Sequence, residues 1–378
     1  MIGSEISLIG LKALILAGGF GTRLRPLSCS RPKLMFPIAN RPILDWTLEG
    51  LEKCGVDEVI LAVNYMADVL EKYFGSSQRG MKISYSKEVK PLGTGGPIKE
   101  AEEQLIGDGS MKPFLVLNGD IISSIDYNAL YQAHMNSEAE ITVTLHQVED
   151  PSRYGVVEIT DSGRILRFVE KPPPGFAPSN LINAGVYVIN PSVLSEIPRG
   201  KKISIEREIF PRLAESGVLY GYLFDDLWFD IGIPDDYLRA NTRLLENVIK
   251  EDAHLEKSIK IDSKARIIPP VALSEGVIVG ENAIVGPYVS LGNGSHIGRG
   301  SRIENSILFD EVFIDEFSTV KGSIVGEYSA LGKYVRVENG CILGDNVHVG
   351  DNVTLSEGVQ VCPHKEVSES IIEKQVII

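Results

Sequence analysis

The sequence has little cysteine and no long uninterrupted apolar run. Its cysteines are Cys29, Cys54, Cys341 and Cys362. No two of them form a Cys-x-x-Cys pair, which argues against a structural zinc site and a disulfide framework and favours a reducing compartment, the cytoplasm. The apolar opening over 8–17 is interrupted by Gly10 and Lys12, so we expect neither a signal peptide nor a membrane helix. Residues 1–10 are interpreted as a short extension.

Positive charge is also scarce. The chain has 37 Lys and Arg against 51 Asp and Glu, and its formal net charge is −14. This balance argues against a nucleic acid or an anionic membrane as the main partner. The 378 residues are 43% hydrophobic and 23% charged, which is typical of a globular chain with two or more cored domains.

The first part of the chain alternates short aliphatic runs with helix-like stretches. This pattern, from residue 11 to about 247, predicts an α/β domain with a mostly parallel sheet. The predicted strands are 12–17, 58–63, 82–86, 114–118, 140–148, 155–159, 165–170 and 184–189. A helix is predicted over 41–54, with Asn40 as its N-cap and Gly55 as its stop, and another from 234 to about 250.

The second part repeats an aliphatic residue every six positions. The in-phase residues are Ile267, Leu273, Val279, Val285, Leu291, Ile297 and Ile303, then Val325, Leu331, Val337, Leu343, Val349, Leu355 and Val361. Three such hexads make one triangular coil with the aliphatic residues inside, which predicts a left-handed parallel β-helix. The period breaks over 304–324, where we expect a loop or an altered coil. The predicted domains are 1–250 and 251–378, with a charged connection over 250–260.

A glycine-rich loop follows the first predicted strand. Glycines at positions 18, 19 and 21 let backbone N–H groups approach phosphate oxygens, and Arg23 and Lys33 supply neutralising charge. Ligands of open α/β sheets bind at this carboxyl end of the strands. The loop lacks the Gly-Lys-Ser/Thr of a Walker loop and the Gly-x-Gly-x-x-Gly of a dinucleotide site. It therefore predicts an anion site of another kind.

This loop resembles the signature Gly-Gly-x-Gly-Thr-Arg-Leu-x-Pro of the sugar-1-phosphate nucleotidylyltransferases, which also have a downstream Pro-Lys. Further motifs follow in that family's order: Leu-Gly-Thr-Gly-Gly-Pro at 92–97, Val-Leu-Asn-Gly-Asp at 116–120, Phe-Val-Glu-Lys-Pro at 168–172, Ile-Asn-Ala-Gly-Val-Tyr at 182–187 and Trp-Phe-Asp-Ile-Gly at 228–232. The resemblance spans the full length. It implies a Rossmann-like nucleotidyltransferase domain followed by the hexapeptide β-helix.

Within the family, the chain looks most like the enzymes that transfer a guanylyl group from GTP to mannose 1-phosphate, down to an ending similar to Val-Cys-Pro-His-Lys at 361–365. Relatives specific for uridylyl or thymidylyl transfer often carry a glutamine shortly before the 93–95 stretch. Residues 87–91 contain none, which favours guanine. UTP or dTTP with glucose 1-phosphate stays an alternative, because few contacts decide such specificity.

Two aspartates are candidate metal ligands. Asp120 follows a predicted strand and would lie at the carboxyl edge of the sheet, and Asp230 lies in a short aromatic run before a helix. Two carboxylates that converge on triphosphate oxygens are a normal way to hold Mg²⁺, with the nucleotide completing its shell. Alone, each aspartate is equally well explained as a turn or helix cap, and the family pattern favours the metal.

The resemblance implies the remaining site residues. Catalysis is assigned to Arg23 and Lys33, nucleotide binding to Ala17, Gly18, Gly19, Gly21, Thr22, Gly93, Thr94 and Asn118, and substrate binding to Gly119, Gly155, Glu170, Lys171, Asn183 and Gly185. The reaction needs no covalent nucleophile, since the sugar phosphate oxygen is already anionic. We therefore expect Arg23 on the departing phosphates, Lys33 near the reacting centre and Lys171 on the sugar phosphate.

Two other functions are weighed against this one. A hexapeptide acyltransferase would use a histidine as general base, and His296, His348 and His364 are candidates, although exposed histidines without a catalytic role are the simpler interpretation. A regulatory subunit would bind a nucleotide sugar without making it, but this chain retains the loop cations and both aspartates. The flat faces of the β-helix are expected to carry homo-oligomer contacts.

Overall fold

The computed structural model describes residues 10–249, 253–255 and 258–378. The predicted extension over 1–10 lies almost wholly outside these residues, and so does part of the predicted connection over 250–260. The chain forms two compact units. One contains residues up to Gly19 and Leu44–Asp230, and the other contains Phe20–Ile43 and Ile231–Ile378. The short segment Phe20–Ile43 therefore belongs to the same unit as the C-terminal half.

The first unit contains alternating strands and helices, in agreement with the predicted α/β class. Its strands are β1 Lys12–Leu16, β2 Glu58–Val63, β3 Met81–Lys87, β4 Phe114–Asn118, β5 Ile121–Ser123, β6 Ile141–Gln147, β7 Gly155–Ile159, β8 Ile165–Glu170, β9 Leu181–Ile189, β10 Leu219–Leu223 and β11 Trp228–Asp230. Its helices are α1 Ile43–Lys53, α2 Ala67–Phe74, α3 Gly95–Glu100, α4 Glu102–Ile106, α5 Tyr127–Met135 and α6 Phe210–Glu215.

The main sheet has the order β8-β7-β9-β4-β1-β2-β3, with a short strand at 77–78 beyond β3. The strands from β4 to β3 are mutually parallel, as the aliphatic runs predicted. The side chains of β4, β1 and β2 are mostly buried, whereas β3 is only partly buried. Strand β9 is antiparallel to β4, β6 and β7, and β10 extends the sheet beyond β6 in parallel pairing. Because β1 and β4 are parallel neighbours, their carboxyl ends lie at the same edge of the sheet.

Asn40 does not cap the first helix, contrary to the sequence prediction. Ala39 and Asn40 have positive φ values of 46° and 63° and form the two-residue turn between the short strands Pro37–Ile38 and Arg41–Pro42. Asparagine adopts this left-handed conformation readily, which makes it a turn residue here. Helix α1 begins only at Ile43 and ends before Gly55, as predicted.

The second unit contains a parallel β-helix with three faces, which confirms the repeat prediction. Helix α7, Pro234–Leu244, and a π-helical turn, Leu245–Ile249, precede it. The first face has the strand order Ala253–Leu255, Val271–Leu273, Val289–Leu291, Ile307–Leu308, Ile324–Val325, Ile342–Leu343, Gln360–Val361 and Val376–Ile377. The second face runs from Lys260–Ile261 to Glu366–Val367, and the third from Arg266–Ile267 to Thr354–Leu355. The inward aliphatic residues of all three faces form one core.

The break over 304–324 is an altered coil and contains no inserted loop. Ile303 is followed five residues later by the inward Leu308, and Val320 is followed five residues later by Val325. Each of these two repeats is one residue short, and in both the missing residue falls at the corner between the third and first faces, at Asn305 and Gly322. Every strand pairing continues through these coils, so the core is uninterrupted.

The first face is covered by the chain itself. Its outward residues Ala272, Ser290, Ile307 and Ile324 are fully buried. Asn40 donates hydrogen bonds from Nδ2 to the carbonyl oxygens of Ala272 and Leu291, both at 2.9 Å. From α7, the Oδ1 atom of Asn241 accepts hydrogen bonds from Ser290 Oγ at 2.8 Å and from the Ala39 backbone N–H at 2.9 Å. The segment Phe20–Ile43 and α7 therefore pack on this face.

Among the described helices, none combines the length and hydropathy that a bilayer-spanning segment needs.

The inward positions should dominate the stability of the β-helix. Ile303 is fully buried, whereas Thr319, in the adjacent strand of the same face, points outward. We expect Ile303→Ala to lower the free energy of unfolding by about 2–5 kcal/mol, because it leaves a cavity in a packed core. Thr319→Ala should change it by no more than about 0.5 kcal/mol. Urea unfolding monitored by circular dichroism measures both, and equal effects would contradict the inward assignment.

Candidate active site

The start of the predicted anion loop belongs to the first unit. Ala17 continues β1 and donates its N–H to the Ala62 carbonyl oxygen at 2.8 Å. A Cβ atom on Gly18 would lie 3.1 Å from Glu88 Oε2 and 3.4 Å from Asn64 Cβ, so only glycine fits without displacing them. A Cβ on Gly19 would meet nothing within 4 Å. The backbone at Gly19 is therefore open to a ligand.

The rest of the loop belongs to the second unit. Gly21 has a φ of 58°, and its carbonyl oxygen accepts a hydrogen bond from Ser28 Oγ at 2.8 Å. A turn of 3-10 helix, Thr22–Leu24, follows, and the side chain of Arg23 in this turn is exposed. Lys33 lies in a second such turn, Lys33–Met35, and is only 7% exposed. Burial of a lysine requires partners for its ammonium group, so the position of Lys33 is set by the fold.

The two candidate metal ligands lie at the start of β5 and the end of β11, two strands that pair with each other. Strand β11 pairs with β5 in antiparallel register, with Asp230 opposite Ile121, and Asp120 immediately precedes Ile121. Among the described residues, no group of three or more His, Cys, Asp or Glu side chains is arranged to hold a metal. Two carboxylates suit a magnesium ion that takes its remaining ligands from substrate phosphates and water. The donor set therefore fits Mg²⁺ in a ternary complex.

A bulge in β9 shapes the neighbouring part of the site. The register between β9 and β6 shifts between Asn183 and Tyr187, and Gly185 inside the bulge has a φ of 79°. The Oδ1 atom of Asn183 accepts the N–H of Gly185 at 2.9 Å, and its Nδ2 donates to the Tyr187 hydroxyl at 2.9 Å. A Cβ on Gly185 would lie 2.8 Å from Asn118 Nδ2. The bulge thus brings Asn183 and Gly185 to Asn118 at the end of β4.

Gly119 follows Asn118 and donates its N–H to the Leu16 carbonyl oxygen of β1 at 3.1 Å. This bond holds the chain at the ends of β1 and β4, just before Asp120. The predicted residues Ala17, Asn118, Gly119 and Asp120 therefore come together at one sheet edge.

Glu170 and Lys171 lie at the end of β8. A Cβ on Gly155, the register partner of Glu170, would lie 2.9 Å from Glu170 Oε2. Lys171 Nζ is 3.5 Å from Glu170 Oε1 and is exposed, while its backbone has a φ of 49°. Burial, and next the charge of Glu206, raise the pKa of Glu170 above its ordinary value, against the opposing effect of Lys171. A carboxyl group held in this way is typical of a binding site.

The predicted base-facing stretch packs on a distant segment. Gly93 forms a parallel bridge with Ile203, and Gly95 donates its N–H to the Ile203 carbonyl oxygen at 2.9 Å. Thr94 Oγ1 donates to Glu206 Oε2 at 2.6 Å. The hydroxyl of Thr94 is thus engaged with Glu206, which leaves the backbone of this stretch as its route to a nucleotide.

Sequence reasoning missed three residues of these clusters: Glu88, Tyr187 and Glu206. Burial raises the pKa of Glu88, which lies beside Gly18. Tyr187 is fully buried between the amide groups of Asn183 and Asn118. Glu88 lies within 87–91, a stretch that drew attention only for its lack of glutamine. Glu206 lies 112 residues from Thr94 and has no local pattern that could have signalled it.

The histidines of the β-helix differ from one another. His296 is half-buried and stacks on Phe313 at 4.8 Å between ring centroids, with 7° between the planes. His348 is exposed, and His364 lies at a corner with a φ of 60°. The stacking gives His296 a packing role.

The raised pKa of Glu170 gives a pH-dependent prediction. A carboxyl group with a raised folded pKa favours folding at acidic pH and loses this advantage as the pH rises through the folded pKa. We therefore expect Glu170→Gln to raise the melting temperature at neutral pH, with the gain disappearing in acid. Thermal unfolding at both pH values measures this. Glu158→Gln, on an exposed position of β7, is the control and should shift neither value. A Glu170→Gln gain that persists in acid would contradict the assignment.

Comparisons with known proteins identify the family of the chain. The family model described as nucleotidyl transferase matches residues 12–247, and the model described as GMPPB C-terminal domain matches residues 267–377. A crystal structure of HddC from Yersinia pseudotuberculosis is 31% identical with a TM-score of 0.54, and covers 62% of this chain and 99% of that one. The same protein has been solved complexed with GMP-PN, with a TM-score of 0.53.

Curated relatives match along the whole chain. Mannose-1-phosphate guanylyltransferase 1 of Arabidopsis thaliana is 38% identical, over 97% of this chain and 100% of its own length. The mannose-1-phosphate guanylyltransferase catalytic subunit beta of Drosophila pseudoobscura pseudoobscura is 41% identical, over 98% of this chain and 97% of its own length. On both the family model and these full-length relatives, the chain belongs to the nucleotidyl transferase family.

Proposed function

We propose that this chain transfers a guanylyl group from GTP to mannose 1-phosphate, giving GDP-mannose and pyrophosphate. The observation that carries the proposal is the convergence of Asn118, Gly119 and Asp120 with Asp230 and the β9 bulge at one sheet edge, in a chain whose full-length relatives are named mannose-1-phosphate guanylyltransferases. An edge with two carboxylates and open backbone suits a nucleotide triphosphate with its metal.

Asp120 and Asp230 are the proposed ligands of Mg²⁺. When bound there, the ion supplies charge neutralisation at the α-phosphate and orients it for displacement. Asp230 is held by the pairing of β11 with β5, and Asp120 is the residue just before β5. The protein's part is thus to fix two oxygen ligands at one edge and to leave the other coordination positions to substrate.

The proposed roles of the cations follow from the charge that the reaction moves. The oxygen of the sugar phosphate attacks the α-phosphorus, and pyrophosphate leaves with the electron pair of the broken P–O bond. Arg23 is proposed to bind the departing phosphates, Lys33 to bind phosphate near the reacting centre, and the exposed Lys171 to bind the sugar phosphate. Glycine N–H groups at 18, 19 and 21 supply further donors.

The proposed sugar site lies around the β9 bulge. Glu170 and Asn183 offer a carboxylate and an amide to sugar hydroxyls, and Gly155 and Gly185 allow close approach. A site that pairs buried polar groups with hydroxyls discriminates strongly against a sugar that leaves them unpaired. We propose mannose on the names of the relatives, with Gly93 and Thr94 facing the guanine through the backbone.

Pyrophosphate release tests the activity. Purified protein with magnesium should release pyrophosphate from GTP and mannose 1-phosphate faster than from any other pair among four nucleotides and the 1-phosphates of mannose, glucose and N-acetylglucosamine. Asp120→Asn should lower kcat by about 10²–10³-fold, because one charged group at the transferred phosphate is lost.

The control for Asp120→Asn is Asp126→Asn. Asp126 caps helix α5 by accepting the N–H groups of Asn128 and Ala129, and asparagine caps equally well. Its turnover should stay within a few fold of the parent. Preference for UTP or dTTP with glucose 1-phosphate would contradict the guanylyl assignment, and binding of GDP-mannose without turnover would indicate a regulatory subunit.

We further propose that the chain forms a homo-oligomer through the second face of the β-helix. Its outward residues, in order, are Lys260, Ile278, His296, Phe313, Ala330, His348 and Glu366. Phe313 lies at the midpoint and is 43% exposed. An antiparallel second copy would place Phe313 on Phe313 and Lys260 opposite Glu366. The face is thus complementary to itself about a two-fold axis.

Substitution of the midpoint tests this interface. We expect Phe313→Glu to convert the assembly to monomers in light scattering, because two like charges would be buried face to face. Thr319→Glu on the third face is the matched control and should leave the mass unchanged. A monomeric parent protein, or an unchanged mass in Phe313→Glu, would contradict the proposal.

Residence in the cytoplasm and a domain boundary near residue 250 are also proposed. The structure leaves Cys29, Cys54, Cys341 and Cys362 as free thiols. Free thiols, one of them exposed, are typical of reducing compartments.

A further inference from the structure

We propose that Arg31 and Asp345 are positioning residues for Lys33, so that the β-helix sets the place of a reactive lysine. The inference rests on the proposed role of Lys33 and goes beyond it. Arg31 precedes Lys33 by two residues, and Asp345 lies at a corner of the β-helix 314 residues away. All three residues belong to the second unit.

Asp345 uses its two oxygens for two different tasks. Oδ1 accepts the backbone N–H of Glu327 at 2.8 Å, which closes a corner of the β-helix. Oδ2 accepts Ser30 Oγ at 2.6 Å and Arg31 Nη2 at 2.9 Å. The same guanidinium group pairs with Glu327. Asp345 thus ties the segment Phe20–Ile43 to the repeat through charge-assisted bonds.

The Arg31 guanidinium is held by packing as well as by its ion pairs. It lies 4.7 Å from the ring centroid of Phe309, which supports it from the β-helix side. Its side chain is 17% exposed and that of Asp345 only 9%. Burial alone would lower the pKa of Arg31, but Asp345 and then Glu327 raise it above its ordinary value. Loss of either partner would leave a charge with little water, which is costly.

A second anchor lies just beyond Lys33. Phe36 is fully buried, with ring centroids 5.6 Å from Tyr237 and 6.2 Å from Phe309. The Tyr237 hydroxyl donates to the Pro37 carbonyl oxygen at 2.5 Å. Only the turn that carries Lys33 lies between the anchors, and the Phe36 N–H donates back to the Lys33 carbonyl oxygen at 3.0 Å. With both ends held, the lysine has little freedom to move.

The β-helix supplies a matched comparison for Asp345. Asp351, at the next corner of the same coil, accepts the N–H of Lys333 through Oδ1 at 2.8 Å. Asp310 accepts the N–H of Asn293 in the same way at 2.9 Å. Replacement of any of these aspartates by asparagine keeps the corner acceptor. Only at position 345 does it also put an amide against Ser30 and Arg31.

A double-mutant cycle in the full-length protein tests the proposal. We expect Asp345→Asn to lower kcat/KM for pyrophosphate release by about 10- to 100-fold, because a small displacement of a group that contacts the reacting phosphates has this effect. Asp351→Asn should stay within about threefold of the parent, with a similar melting temperature. In a Lys33→Ala background, Asp345→Asn should change kcat/KM by less than about twofold, since the group that it positions is gone.

The outcomes separate the positioning role from the role of Lys33 itself. A full Asp345→Asn loss that persists in the Lys33→Ala background, or no loss in the parent, would overturn the positioning role. Lys33→Ala with parental activity would instead overturn the proposed role of Lys33. If Asp345→Asn does not fold, Arg31→Lys replaces it: lysine keeps the charge but cannot reach both carboxylates, so a loss of the same order and the same non-additivity are expected.

Discussion

The buried ion pair between Arg31 and Asp345 is the constraint on which the arrangement of the second unit depends. The segment Phe20–Ile43 has only short turns and two-residue strands of its own. Such a segment cannot bury enough surface to hold itself in one conformation. The segment is ordered because it packs on the β-helix and its buried first face. Arg31, Phe36 and Asn40 make these contacts along its length. The repeat domain thus stabilises a loop that bears candidate reactive residues.

The first unit has a different task in the proposed site, which is to hold negative charges where negatively charged substrates would bind. Strand pairing holds Asp230 opposite Ile121, the residue after Asp120, and Glu170 lies close to Glu206. Burial, and next the charge of Glu206, disfavour the ionised form of Glu170. A ligand hydroxyl that donates to Glu170 in the proposed sugar site would offset this cost.

Much of this could be predicted from the sequence, because periodicity reports burial directly. The six-residue period identified the inward residues of the β-helix, and the ends of β2, β4, β7 and β8 matched the aliphatic runs. The motif order predicted the family, which the comparisons confirm, and it selected Asp120 and Asp230, whose role as metal ligands stays a prediction. What failed was information held by distant residues: Asn40 is a turn residue whose amide bonds to the β-helix. Of the two alternatives for 304–324, the altered coil is the one observed, as a one-residue shortening at two stacked corners. Nothing in the sequence near Thr94 or Glu206 indicates that these two residues form a hydrogen bond.

The distance along the chain between Arg31 and its partner carries a consequence for how the protein is made. A ribosome releases residue 31 long before residue 345, so the loop emerges early and its ion-pair partner exists only after most of the β-helix has been made. The first unit can complete its own sheet in the meantime, since its strands end by Asp230. The nascent chain thus contains every strand of the first unit before the ion pair beside its candidate lysine can form.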